Sequence, residues 1–172
     1  MKILIISDAT FPTNRPILKY FWNYEMSRKS VKLFWVLPSF IKIKNRVHTT
    51  WSSSDLFLFP IKEKKSMLIS LENILLRILM IFSLSRLLIN NKNIEWIHVH
   101  DGHLESLIGT LLSKFYNIPL SVGYTAPFTQ FRKKAIIGSK GFEHIKKSLS
   151  FIISNNIYKL AFRQAKLLFP IS

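Results

Sequence analysis

At 172 residues and 48% hydrophobic content, the chain reads as one domain, residues 1–172, with enough apolar material for a buried core. It has no cysteine, which excludes disulfide frameworks and thiolate metal sites. Its 25 Lys and Arg against 9 Asp and Glu give a formal net charge of +16, a field that draws nucleic acid, anionic lipid or phosphorylated small molecules.

The opening MKILIISD has an apolar run of about four residues, against roughly 7–15 in a signal peptide, and no small-residue cleavage site follows. KILIIS (2–7) is therefore expected to be a first strand, ending in the polar loop DATFPTNRP (8–16). ILKYFWNYEMSR (17–28) puts Ile17, Leu18, Phe21, Trp22 and Met26 on one helical face, and Pro16 suits the first turn. VKLFWVL (31–37) reads as a second strand stopped by Pro38. Residues 38–54, basic and then Ser/Thr-rich, read as an irregular excursion. DLFLFPI (55–61) is a third strand with Pro60 near its edge.

MLISLENILLRILMIFSLSRLLI (67–89) is long and apolar enough to raise the question of a membrane span. Glu72, Arg77 and Arg86 interrupt it, and each charge near a bilayer centre costs about 2.5–3.5 kcal/mol. A helix buried on much of its surface, or lying at an interface, is expected instead. IEWIHVH (94–100) is a fourth strand. LESLIGTLLSKFYN (104–117) is a helix with Leu104, Leu107, Ile108, Leu111, Leu112 and Phe115 on one side. IPLSVGY (118–124) is a fifth strand, residues 125–141 a basic loop with Gly138 and Gly141, 142–165 a helix and LLFPIS (167–172) a sixth strand.

Such alternation predicts an α/β fold, a Rossmann-like doubly wound parallel sheet with helices on its faces. Ligands of these sheets lie outside the carboxyl ends of the strands. Three loops meet that condition: 8–16, 100–103 and 124–134.

The stretch HVHDGHLESLIG (98–109) holds three of the five histidines where a strand hands over to a helix. Metallo-β-lactamase-type hydrolases carry H-x-H-x-D-H, with aspartate fifth. Here Asp101 is fourth and Gly102 fifth, and only His144 follows as another imidazole, which argues against a metal site. A structural reading makes His98 or His100 an ordinary core or rim histidine and Asp101 the N-cap of the helix, worth about 1 kcal/mol. A third reading notes that backbone donors and the helix dipole converge at such a junction, where imidazoles can bond sugar hydroxyls or phosphate.

IEWIHVHDGHLESLIGTLLSKFYNIPLSVGYT (94–125) resembles the corresponding stretch of retaining glycosyltransferases of the glycogen-synthase-like kind, family 4 and its relatives. MKILIISDATFPTNRP resembles their first strand and donor-facing loop, and AKLLFPIS their late strand ending in serine. The resemblance implies the N-terminal, acceptor-side lobe of a GT-B fold, with the second, donor-binding lobe outside these residues. It makes His103 the catalytic histidine that reaches the transferred sugar. Asp8, Thr10, Thr13, Arg15, His100, Asp101, Tyr124 and Thr125 become substrate-binding, with no metal. The first loop departs from the family in having no glycine where a Gly-Gly pair is usual, and YTAPF lacks the family's histidine after the fifth strand.

The function implied is transfer from an NDP-sugar, a donor substrate and not a cofactor, to a cell-envelope glycan or lipid-linked acceptor, as in polysaccharide biosynthesis. The partners implied are the nucleotide sugar with a second lobe or subunit, the acceptor, and an anionic membrane met peripherally at its inner, cytoplasmic face. Lys62, Lys64, Lys65, Arg132, Lys133 and Lys134 are the cations expected to make that contact. The alternative is a non-enzymatic basic Rossmann module docking on anionic membrane or on a partner enzyme. Another nucleotide-using α/β enzyme is disfavoured, because neither G-x-G-x-x-G after the first strand nor G-x-x-x-x-G-K-[ST] occurs. No nucleic-acid reading module is recognisable either.

Overall fold

The computed structural model describes residues 1–7, 30–39, 47–51, 54–61, 67–100, 103–125, 136–137 and 140–171. They form one seven-stranded sheet: β1 Lys2–Ser7, β2 Lys32–Ser39, β3 Val47–Trp51, β4 Ser54–Pro60, β5 Trp96–His100, β6 Leu120–Thr125 and β7 Leu167–Ile171. Three long helices accompany it: α1 Met67–Lys92, α2 His103–Tyr116 and α3 Gly141–Gln164. The strand order is β3-β4-β2-β1-β5-β6-β7, and every neighbouring pair is parallel except β3 with β4. The chain winds one way from β1 through β2 to β4 and the other way from β5 through β6 to β7. This is the Rossmann-like α/β sheet expected from the alternation of segments.

Two segments depart from expectation. The stretch expected to be irregular contains β3, which pairs antiparallel with β4 through Trp51↔Ser54 and forms the sheet edge. VHTTW is β-branched and aromatic, which suits a strand, but its short run lacks the apolar alternation that announces one. Pro38 does not stop β2, which continues to Ser39. Ser39 accepts from the Ile61 amide on the β4 side, so by alternation the nitrogen of Pro38 faces the β1 side. There β1–β2 pairing has already ended at Ile6↔Val36, and no ladder donor is missed. The helix expected over 17–28 lies outside the described residues.

Leu4, Ile6, Phe34, Val36, Ile97, Val99, Leu120 and Val122 form one face of the sheet, and the helices cover it with Ile81, Leu84, Leu88, Ile108, Leu112 and Ala161. α1 is therefore half buried, while Leu75, Leu79 and Phe82 face outward. Of the stripe predicted for α2, Ile108 and Leu112 are buried and Leu104 packs against the core, while Leu111 and Phe115 are not part of it. Glu105, Ser106, Ile108, Gly109, Thr110, Leu112 and Ser113 face in, whereas Leu111 is 50% and Phe115 81% exposed. Small residues win the inner face because α2 lies close on β5. A Cβ on Gly109 would overlap Val99 Cγ2, a short branched side chain with little room to yield.

Gly109→Ala is therefore expected to lower stability by about 1–3 kcal/mol, even though alanine is the better helix former. A urea midpoint no lower than that of the parent chain would show that α2 can lift off β5 without cost.

α1 and α2 each end before an asparagine in the left-handed region, Asn93 and Asn117, both with φ 53°. The Ile118 amide donates to the Ser113 carbonyl at 3.0 Å, closing a Schellman turn that delivers the chain to β6.

Candidate functional site

Strand order reverses between β1 and β5, and the crevice at the carboxyl ends of these strands is where such sheets bind ligands. The pair nearest that edge is Ser7↔His100, and His100 pairs on its other side with Gly123. Residues paired in a parallel sheet share a face, so Ser7, His100 and Gly123 form one row beneath the crevice. His98, one step deeper in β5, pairs with Ile5 and with Ser121.

This face is divided. On β1, β2 and β4 it is a second apolar core of Ile5, Leu33, Trp35, Leu37, Leu56 and Leu58. On β5 and β6 it is polar, with Trp96, His98, His100 and Ser121 in the same positions. Ser7, His98, His100 and Ser121 are all at most 4% exposed. Water is excluded from these groups, so their hydrogen bonding has to be met by protein.

Ser121 Oγ accepts from Trp96 Nε1 at 2.8 Å and lies 2.9 Å from His98 Nδ1. Its single proton serves either that nitrogen or, at 3.5 Å, the Ile97 carbonyl. In the first case His98 accepts on Nδ1; in the second its Nδ1–H donates to Oγ. Burial first, and His100 second, lower the His98 pKa from 6.5 to about 3, so the imidazole is neutral at pH 7. The His100 ring centroid is 6.2 Å away. His98 is thus a core histidine, as one reading of the sequence had it.

The residues expected to bind or transfer converge on this edge as far as they are described. His100 closes β5 and lies 2% exposed beneath the crevice. His103 is the first residue of α2, which starts where the sequence placed it. Tyr124 and Thr125 close β6, next to β5. The side chains of His103, Tyr124 and Thr125 lie outside the described part. So do Asp8, Thr10, Thr13, Arg15 and Asp101 entirely, along with Lys62, Lys64, Lys65, Arg132, Lys133 and Lys134.

Sequence reasoning missed the pair that anchors the N-terminus of α2. Arg77 of α1 bonds Glu105, in the first turn of α2, through Nη2 and Oε1. Glu105 is buried and Arg77 mostly so. A charge in an apolar helix signals such a partner, but nothing local says where the partner lies.

Among the described residues no group of three metal-ligating side chains converges, and no helix is long and apolar enough to cross a membrane. A shallow depression on α1, lined by Phe82, Arg86, Leu87 and Asn90 among others, lies toward the helix end that leads into β5. That is the opposite end of the sheet from the crevice.

No family model matches the chain, and no curated protein matches it in sequence. Solved structures do share its fold. Sucrose-phosphate synthase from Thermosynechococcus elongatus superposes with a TM-score of 0.63 at 8% identity, over 97% of this chain and 41% of that one. A protein assigned as a UDP-N-acetylglucosamine 2-epimerase from Listeria monocytogenes gives 0.54 at 13% identity, over 99% and 39%. Another UDP-N-acetylglucosamine 2-epimerase gives 0.51 at 10% identity, over 99% and 41%. The chain spans about two fifths of the length of these structures. At these identities the likeness is one of fold: a Rossmann-like α/β lobe of the kind found in GT-B proteins.

Proposed function

We propose that the chain is the acceptor-side lobe of a retaining, nucleotide-sugar-dependent glycosyltransferase, completed by a donor-binding lobe or subunit. The observation that supports this best is that β5 ends at His100, α2 starts at His103 and β6 ends at Thr125 on the side of the crevice at the β1/β5 switch point. The sucrose-phosphate synthase among the fold neighbours supports it as well, at the level of the fold. In this reading His103 donates a hydrogen bond to the transferred sugar. Asp101 caps α2, whose N-terminal dipole favours anionic oxygens. Buried His100 and Ser7 shape the floor, and binding and orientation supply the catalysis. The acceptor is a cell-envelope glycan or lipid-linked saccharide met at the cytoplasmic face of a membrane.

The isolated 172 residues are expected to transfer no sugar from a panel of nucleotide sugars to saccharide or polyprenyl-linked acceptors. Turnover by this chain alone would overturn the two-lobe reading. In the completed protein, His103→Ala should abolish transfer with circular dichroism unchanged, and Asp101→Ala should mainly cost about 1 kcal/mol of stability. Chelators should change nothing. One of the fold neighbours described above is a UDP-N-acetylglucosamine 2-epimerase and another is assigned as one, so the same assay follows epimerisation of UDP-N-acetylglucosamine. Epimerised product without transfer would replace the transferase reading with that one.

A further inference from the structure

α3 is apolar on two sides. Tyr158 and Ala161 are buried on its inner side. On its outer side Ile145, Leu149, Ile152, Ile153 and Leu160 are each about half exposed or more, between 48% and 63%. Their spacing, i, i+4, i+7, i+8 and i+15, makes a single stripe along the helix. α2 packs beside α3 and adds Leu111 and Phe115, also outward. A contiguous apolar surface of this kind marks a contact with something.

Charge identifies the partner. From Lys140 to Lys166 the sequence has six cations, Lys140, Lys146, Lys147, Lys159, Arg163 and Lys166, and one carboxylate, Glu143, which pairs with Lys147 at 2.8 Å. Lys140, Lys159, Arg163 and Lys166 are exposed. A second copy of a chain carrying +16 would bring like charges face to face. The exposed apolar side chains run in one stripe along a single helix with cations beside them, the pattern of a helix that lies in a headgroup layer. No described helix can span, so the contact lies in the membrane plane.

We infer that the outer face of α3 is an in-plane docking surface for an anionic lipid bilayer, with its apolar stripe set among the acyl chains and its cations at the headgroups. The residues of this surface are other than Lys62, Lys64, Lys65, Arg132, Lys133 and Lys134, and the inference stands whether or not the chain transfers sugar.

The test is sedimentation of the 172-residue chain with vesicles of phosphatidylcholine, with and without phosphatidylglycerol. Binding should require phosphatidylglycerol and weaken with salt. Leu149→Glu together with Ile152→Glu should reduce binding more than tenfold, and Lys159→Gln and Arg163→Gln about fivefold each. The chain has no cysteine, so Ile152→Cys takes a single environment-sensitive dye, whose emission should shift to the blue on anionic vesicles. That readout serves even if the charge variants fold poorly. Absence of vesicle binding, or binding with no dye shift, would overturn the proposal. So would a dimer in gel filtration that the Leu149→Glu, Ile152→Glu chain no longer forms.

Discussion

Replacing Arg77 by methionine is expected to destabilise the chain by about 3–5 kcal/mol, because it leaves the Glu105 carboxylate buried without its guanidinium. Glu105 is 2% exposed and Arg77 25%, so the two single substitutions should not be equal. Glu105→Gln strands a guanidinium that already reaches water, and its cost should sit at the lower end, about 3 kcal/mol. Arg77→Met combined with Glu105→Leu removes both charges and should recover most of the loss, since an apolar pair of similar volume is often as stable as a buried ion pair. Urea denaturation of the parent and these three variants gives the comparison. A loss under about 1 kcal/mol from either single change would place the pair among solvent-screened bridges, which contribute little. The consequence reaches the site, because Glu105 lies in the first turn of the helix that begins at His103. Loss of the pair should therefore raise hydrogen exchange at the start of α2 before it does so in β1 or β5.

The strands of the parallel sheet were legible because each is a compact apolar run bounded by polar or helical sequence. KILIIS, DLFLFPI and IPLSVGY needed no tertiary information. VHTTW was not legible, because its partner, β4, supplies what its own composition lacks. The buried stripe of α2 was misread in part, for a related reason. Counting apolar residues favoured Leu107, Leu111 and Phe115, yet the close approach to Val99 selects Gly109 and its small neighbours instead. Where a crossover helix lies tight on a strand, size limits the inner face as well as apolarity.

For the candidate site, the sequence located the edge but not the roles within it. A run of alternating histidines at a strand end could belong to a metal site, a core or a ligand pocket. Only pairing separates them: His98 meets Ser121 and Ile5 inside the sheet, and His100 meets Ser7 at its edge. The polar half-face is built by two strands with α2 between them in sequence, so no local pattern announces it.

That half-face makes the chain sensitive to acid. Burial and the nearby His100 lower the His98 pKa from 6.5 to about 3. The unfolded chain takes up a proton near pH 6.5 that the folded chain refuses until about pH 3. The stability that depends on a neutral His98 is thus complete above pH 6.5 and declines as pH falls toward 3, by about 1.4 kcal/mol per pH unit. Over the whole window this amounts to about 5 kcal/mol, comparable with the entire stability of a marginal domain. Between pH 7 and pH 5, before most carboxylates titrate, the expected loss is about 2 kcal/mol in the urea-derived free energy. His98→Asn keeps a polar group near Ser121 and cannot titrate, so its free energy should start lower at pH 7 and change less down to pH 5. The difference between the two profiles reports His98 together with its coupling to His100. Parallel profiles would mean that His98 accepts its proton in the folded sheet near the ordinary pH, and that the β5–β6 face is open to water.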